Sequence, residues 1–420
     1  KNVGKPCEGE PHARFDEGKE GRSPLTYSTK RKEDTMRRLY TAESVTEGHP
    51  DKVCDRIADT ILDACLKEDP DAHVACEVLA TKGTVLLAGE ITSRYEPDVL
   101  GLAERVVERI GYDPKDFLFD ALIHRQSPDI AGGVRTSREK RNNPAAEEEW
   151  SMGAGDQGIM TGYACRENPQ MLPMPVLLSQ RIVRELDAAR KSEYIRGILP
   201  DGKAQVTVEY EDHEPVRVDT VVVSCQHAEE KSLKELEREI RQKVLAPALR
   251  PLPADPETKI IINPSGRFVA GGMEADTGLT GRKLMVDAYG SIAPHGGGAF
   301  SGKDASKVDR SGAYMARYIA KNIVAAGLAD KCLVTLAYAI GMAEPVMVQV
   351  DTYGTGKVCE DDCLAAAVPL VFGLTPAQII GQLHLKRPIF AQTAVYGHFG
   401  RKEFPWERTD KAELLRSAVI

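Results

Sequence analysis

Gly296 to Ser311 reads GGGAFSGKDASKVDRS, a stretch that sets four glycines among lysines, aspartates and an arginine. Glycine admits positive φ and lets backbone N–H groups come close to a ligand. Successive N–H groups of that kind form a concave anion site. Lys303 and Lys307 add point charges, and Arg310 a planar fork of donors. Asp304 and Asp309 are foreign to a purely anionic site. They make sense if a divalent cation rides on the anion, because Mg2+ takes one or two carboxylates plus phosphate oxygens. Gly297 to Lys303 satisfies G-x-x-x-x-G-K, but Asp304 stands where a P-loop needs Ser or Thr, so a Walker fold is rejected. A plain surface turn needs no such density of mixed charge ahead of a helix, here expected over Ser311 to Ala326.

Outward from that stretch, 420 residues are long for one core and predict two or three domains. The composition, 42% hydrophobic and 28% charged, is that of a globular protein. A net charge of −8 favours neither nucleic acid nor an anionic membrane surface, so phosphate binding must come from clustered base. No run of 18 apolar residues is present, and no membrane-spanning helix is expected. The cysteines form no C-x-x-C and read as reduced thiols, mostly core, which makes a cytoplasmic location the expectation. Residues 1–35 are polar with mixed charge and fit neither signal nor transit peptide. They read as a disordered extension or tag, and Lys1 in place of Met suggests a foreign or truncated start.

GHPDK, Gly48 to Lys52, opens a helix whose buried stripe is Cys54, Ile57, Ala58, Ile61, Leu62 and Cys65. His49, Asp51 and Lys52 gather phosphate- or metal-binding side chains at its N-terminus. Asp55, Asp59 and Asp63 read as a solvated face. His73–Ala80 and Thr84–Ile91 predict a hairpin turning at Lys82-Gly83. Glu77 and Glu90 interrupt its apolar runs, and pattern alone slightly favours an outward face over a paired inward carboxylate. A helix is expected over Val99–Ile110. The polar run His124–Trp150 is long enough to be a lid or a surface insertion. GAGDQG, Gly153 to Gly158, satisfies G-x-G-x-x-G, but no hydrophobic strand precedes it, so a dinucleotide fold is discarded.

Further helices are expected over Met171–Ala189 and Ser232–Leu249. Ala204–Tyr210 and Arg217–Ser224 alternate cleanly and should pair; Asp201 and Lys203 lead into the first. Lys259–Asn263, Leu333–Ile340 and Val346–Thr352 read as strands. Arg267, Phe268, Asp276, Arg282 and Lys283 lie in a glycine-rich run, where Phe beside Arg could stack a flat base or belong to the core. The three charged, glycine-rich stretches together suit a Mg-nucleoside triphosphate. No Ser-His-Asp order, H-E-x-x-H or cysteine nucleophile is evident. The chemistry is therefore expected to rest on positioning and on charge stabilisation of a leaving phosphate.

GHPDK, GAGDQG, DTGLTGRK (Asp276–Lys283) and GGGAFSGKD (Gly296–Asp304), with QSPDI (Gln126–Ile130) and GRF (Gly266–Phe268), resemble the S-adenosylmethionine synthetase family. The match runs in family order over residues 38–408. The resemblance implies an α/β fold of the α+β type, with three similar α/β domains in pseudo-threefold arrangement: 38–135 N-terminal, 150–266 central and 267–408 C-terminal, with a gating loop over 126–150. It implies that methionine sulfur attacks the 5′ carbon of ATP, giving S-adenosylmethionine and tripolyphosphate, which is then hydrolysed to diphosphate and phosphate. A thioether has no proton to lose, so that step needs alignment and charge rather than a general base.

Position by position, the resemblance puts His49 at the leaving oxygen and triphosphate, and Asp51 and Asp309 on two Mg2+ ions. It places Glu77 at a K+ site, which overturns the outward reading of Glu77 and Glu90. Lys203, Arg282, Lys303 and Lys307 would neutralise phosphate, with Lys283 alongside. Asp201, Arg267, Phe268 and the Ala299 backbone would contact ATP. Glu90, Gln126 and Asp276 would hold methionine, with Lys307 nearby. A homodimer with shared active sites is implied, often paired into a homotetramer. The alternatives are an ATP-dependent phosphotransferase releasing ADP, and a nucleotide sensor without turnover.

Overall fold

The strands in chain order are β1 (Arg37–Val45), β2 (His73–Thr81), β3 (Thr84–Thr92), β4 (Leu118–His124), β5 (Gly158–Cys165), β6 (Ile198–Glu211), β7 (Glu214–His227), β8 (Lys259–Ile262), β9 (Gly278–Leu279), β10 (Lys331–Tyr338) and β11 (Met347–Asp351). The structure, a computed structural model, describes residues 37–127, 132, 134–145 and 147–420. The extension expected over 1–35 and part of the loop expected over 126–150 lie outside the described residues.

The strands form three sheets, ordered β1-β6-β7-β8, β11-β10-β5 and β4-β3-β2-β9. Each sheet borrows a strand. β1, from the first third of the chain, pairs antiparallel with β6. β5, from the middle third, pairs with β10. β9, which leads into the stretch holding β10 and β11, pairs with β2. The loans run in a cycle, so the three α/β domains interlock. β1, β4, β5 and β9 were not foreseen. β5 carries glycines at both ends of GIMTG, and a β-carbon on Gly162 would stand 2.0 Å from the Ala316 carbonyl carbon. Only glycine lets the helix Val308–Ala325 lie that close on the sheet.

The expected hairpin forms with Gly83 at φ 70°. β6 and β7 extend beyond their expected spans and turn at Asp212-His213, both at positive φ. Aspartate tolerates that region, so the turn forms without a glycine to announce it. The helix expected over Ser232–Leu249 is α-helical at Leu233–Glu239, passes through a π turn at Ile240–Leu245 and ends at Ala246–Ala248. Helix Pro50–Glu68 begins with proline in its first turn and, beneath its expected apolar stripe, buries Lys52, Asp55 and Asp59 as well. Helix Val308–Ala325 is buried along nearly its whole length. These two helices share one core with the sheets containing β2 and β10, and helix Met174–Lys191 packs with β6 and β7 in a second.

Candidate active site

The first cluster forms where β1 runs into helix Pro50–Glu68. His49 caps the helix, its Nδ1 accepting the Asp51 N–H at 3.2 Å. The Tyr112 hydroxyl donates to the Gly48 carbonyl at 2.6 Å and fixes the turn. Because Nδ1 accepts, the neutral ring carries its proton on Nε2. Burial first, then the nearby Lys283 ammonium, pushes the His49 pKa down to about 4. The ring is therefore neutral at pH 7, a hydrogen-bond donor through Nε2.

Asp51 is buried. Its carboxylate accepts from the Leu279 N–H at 3.0 Å and from Lys283 Nζ at 2.5 Å, with Arg282 Nε at 3.7 Å. Burial works against its charge, but Lys283 and the Leu279 N–H outweigh it and hold its pKa below the usual carboxylate range. Asp276 and Lys203 lie within electrostatic reach of His49, and Lys203 pairs with Glu43 at 2.6 Å. The Asp201 carboxylate accepts the Gly272 N–H at 2.9 Å, and burial raises its pKa. Gln226 ties this corner to the next loop, accepting from Asp201 N and donating to the Val269 carbonyl. The Phe268 N–H donates to His227 Nε2 at 3.1 Å, while exposed Arg267 pairs with Glu229.

The second cluster lies around Lys303. Gly302, at φ 80°, sits where a β-carbon would strike the Cys76 carbonyl, and that carbonyl environment joins the loop to β2. The Cys76 N–H donates to the Gly302 carbonyl at 2.9 Å, and Lys303 forms an isolated bridge with Ala75. Lys303 Nζ donates to Asp309 at 2.6 Å. The β2–β3 register opposes Glu77 to Ala88 and Glu90 to Ala75, so both glutamates share one sheet face. Glu77 keeps solvent contact, yet loss of water around it pushes its carboxyl up to about 7 against the pull of Lys303. Gln126 follows β4, its N–H donating to Thr92 Oγ1 at 3.1 Å. Ala299 packs against Gly281, joining the loops of the two clusters.

Several readings of the sequence need correction. Asp55, Asp59 and Asp63 are no solvated face. Asp55 accepts the Gly281 N–H at 2.8 Å, Asp59 the Gly302 N–H at 2.8 Å, and Asp63 the N–H groups of Phe390 and Ala391 at 2.9 and 2.8 Å. The Lys52 ammonium is fully buried between Asp55, at 2.9 Å, and Asp287. Arg310 is also fully buried, bidentate on Asp59 at 2.7 Å to each oxygen. Neither base is available to a phosphate. Asp304 is spent on the Val74 and Ser306 N–H groups and on Lys307, so it does not fit a metal ligand. The lone hint of these roles was the i, i+4 spacing of aspartates, which solvated helices share.

Four residues per step at 1.5 Å rise puts Asp51 and Asp59, which hold the two clusters, about 12 Å apart along their helix. Among the described residues, no three of His, Cys, Asp and Glu gather closely enough to hold a metal ion. Asp51 and Asp309 instead stand as single carboxylates beside lysines. That donor set suits a divalent cation completed by water and phosphate oxygens, not a protein-caged one. Basic side chains, single carboxylates and a neutral histidine donor are the groups that suit a metal–polyphosphate ester.

Profiles of three domains match in order: S-adenosylmethionine synthetase, N-terminal domain over residues 37–128, central domain over 151–268 and C-terminal domain over 270–408. The S-adenosylmethionine synthase of Treponema denticola is 51% identical over 389 residues, covering 90% of this chain and 98% of that protein. The chain belongs to the S-adenosylmethionine synthetase family. Its activity is that of a methionine adenosyltransferase, an ATP-dependent enzyme requiring metal ions, with methionine as second substrate. No single helix among the described residues is long and apolar enough to cross a membrane.

Proposed function

We propose that the two clusters act on one triphosphate while methionine sulfur displaces it from the ATP 5′ carbon. The observation carrying this reading is the neutral His49. With Nδ1 taken by the helix cap, Nε2–H is the donor left for a leaving oxygen, and Lys283, paired with Asp51, lies within electrostatic reach of the ring. His49 donates to that oxygen. Arg282 and Lys283 of the first cluster, and Lys303 of the second, neutralise the phosphates; Lys203 and Lys307 turn to them from Glu43 and Asp304. Asp201, Arg267, Phe268, Asp276 and the Ala299 backbone hold the nucleotide. Glu90, Gln126 and Asp276 receive methionine, the carboxylates answering its ammonium group.

Asp51 and Asp309 would hold two Mg2+ ions, and Glu77 a K+ ion. Bound there, they supply charge neutralisation on phosphate oxygens. Residues 38–135, 150–266 and 267–408 serve as the domains in chain order, and 126–150 as the gating loop. The described part of that loop is fastened at its end, Thr375 and Gln378 bonding Glu149 and the Ala343 N–H bonding Glu139.

The working unit is a homodimer with shared sites, paired into a homotetramer, in the cytoplasm. Support comes from the sheet face that carries Glu77 and Glu90. Leu122 lies in register with Ala88 and Glu77, and Leu122 and Leu118 are 54% and 69% exposed. A second copy covering that face would hide the leucines and bring its own clusters across to these.

Incubation with ATP, methionine, Mg2+ and K+, followed by analysis of products, tests the reaction. S-adenosylmethionine, diphosphate and phosphate in equal amounts are expected. ADP would indicate phosphotransfer instead, and no turnover a sensor.

A further inference from the structure

Among the described cysteines six are buried, while Cys359 and Cys363 reach the surface. Burial raises the thiol pKa of each of the six, to about 11 for Cys65 and to about 12 for Cys76 and Cys225. Those are core groups, enclosed and slow to react. The surface pair differs in kind, because its members stand together at the start of helix Asp361–Val371.

In VCEDDC, Val358 to Cys363, Glu360 caps that helix in extended backbone, φ −68° and ψ 158°. The Cys363 and Leu364 N–H groups both donate to the Glu360 carbonyl, at 3.0 and 3.3 Å, closing the first turn. A residue just before a cap packs back over that turn, as a hydrophobic staple does. Cys359 holds that place, and the Cys363 thiol lies within hydrogen-bonding reach of it. The surrounding chain is pinned. Asp361 accepts from the Thr352 N–H at 3.1 Å and from Thr352 Oγ1 at 2.6 Å, and the Lys357 N–H donates to the Leu328 carbonyl at 2.9 Å. Two thiols thus share one accessible point, and adenosyl transfer uses neither.

We infer that Cys359 and Cys363 are a dithiol modification site, oxidised by a peroxide to an intrachain disulfide. The Cys363 sulfur, the more exposed, attacks one peroxide oxygen. The O–O bond breaks, water leaves, and Cys363 becomes a sulfenic acid. The Cys359 sulfur then displaces hydroxide from Cys363, and the thiol proton joins it as a second water while the S–S bond forms. Two thiols and one hydrogen peroxide give one disulfide and two waters. Glu360 and Asp361 lie within electrostatic reach of Cys359, which favours a neutral oxidant over an anionic disulfide.

Peroxide treatment of the reduced full chain, then alkylation in denaturant and tryptic mapping, tests this. No lysine or arginine lies between Lys357 and Lys386, so one peptide, 358–386, carries both cysteines and no other. That peptide is expected to lose both alkylation sites and to be two hydrogen masses lighter, while the peptides of the six buried cysteines stay alkylated. In Cys359→Ser the sulfenic acid has no partner, so dimedone should label Cys363 at least about tenfold more than in the wild type. Any other state of the wild-type peptide, whether alkylated at both cysteines or joined to Cys7 or to a second chain, would overturn the inference. So would equal dimedone labelling of the two proteins.

Discussion

At the scale of single residues, burial sorts the charged side chains into two groups that sequence alone could not separate. Lys52 and Lys303 both follow a glycine turn, and both look like phosphate ligands in sequence. Lys52 is wholly enclosed, and although burial works against its charge, Asp287 and Asp55 outweigh it and raise its pKa. Removing it would leave two carboxylates without their cation. Lys52→Met is therefore expected to destabilise the fold by about 3–5 kcal/mol in chemical denaturation, the usual cost of breaking a buried pair from one side. A change below about 1 kcal/mol would show that the pair is not needed. On the proposed reading His49→Ala removes a donor to the leaving oxygen and should lower kcat about a hundredfold, while loss of the helix cap costs only about 1 kcal/mol of stability. Steady-state kinetics beside a thermal melt separates the two effects.

At the scale of elements, helix Pro50–Glu68 organises the site. Its apolar stripe was legible because Cys54, Ile57, Ala58, Ile61, Leu62 and Cys65 repeat at helical spacing. Its acidic stripe was misread, since partners at Gly281, Gly302 and Phe390 lie more than two hundred residues away and periodicity carries no information about them. Asp63 offers a pH test of that stripe. Burial raises its carboxyl from 3.8 to about 6. A raised carboxylate binds its proton more tightly in the folded chain, so its contribution is present at low pH and lost as pH rises from about 4 through 6. Asp63→Asn removes this dependence. The stability difference, wild type minus variant, should be greater at pH 5 than at pH 7 by about 1 kcal/mol, which urea unfolding at the two pH values measures. No change, or the opposite sign, would contradict the assignment.

At the scale of the whole molecule, three sheets exchange strands in a ring. The hairpin β2–β3 and the pair β6–β7 were readable from alternation and turn residues. The lent strands β1, β5 and β9 were not: their partners are set by distant chain, and β9 is only two residues long. The candidate site residues were named through specific motifs rather than through physical pattern, which had left Glu77 and Glu90 outward. The pattern was correct about solvent contact, and the proposed dimer would reconcile the two readings by covering that face. On that proposal Leu122→Asp should split the dimer in sedimentation velocity and reduce turnover together, because the same face would carry the shared site. A stable dimer in that variant would move the interface elsewhere.

Single-turnover rapid quench of Lys303→Met, with ATP and methionine saturating, tests the central claim most directly. The account predicts adenosyl transfer slowed by about a hundredfold or more, with the fold and nucleotide binding retained, because one cation facing the leaving triphosphate is missing. Transfer at the wild-type rate would contradict it.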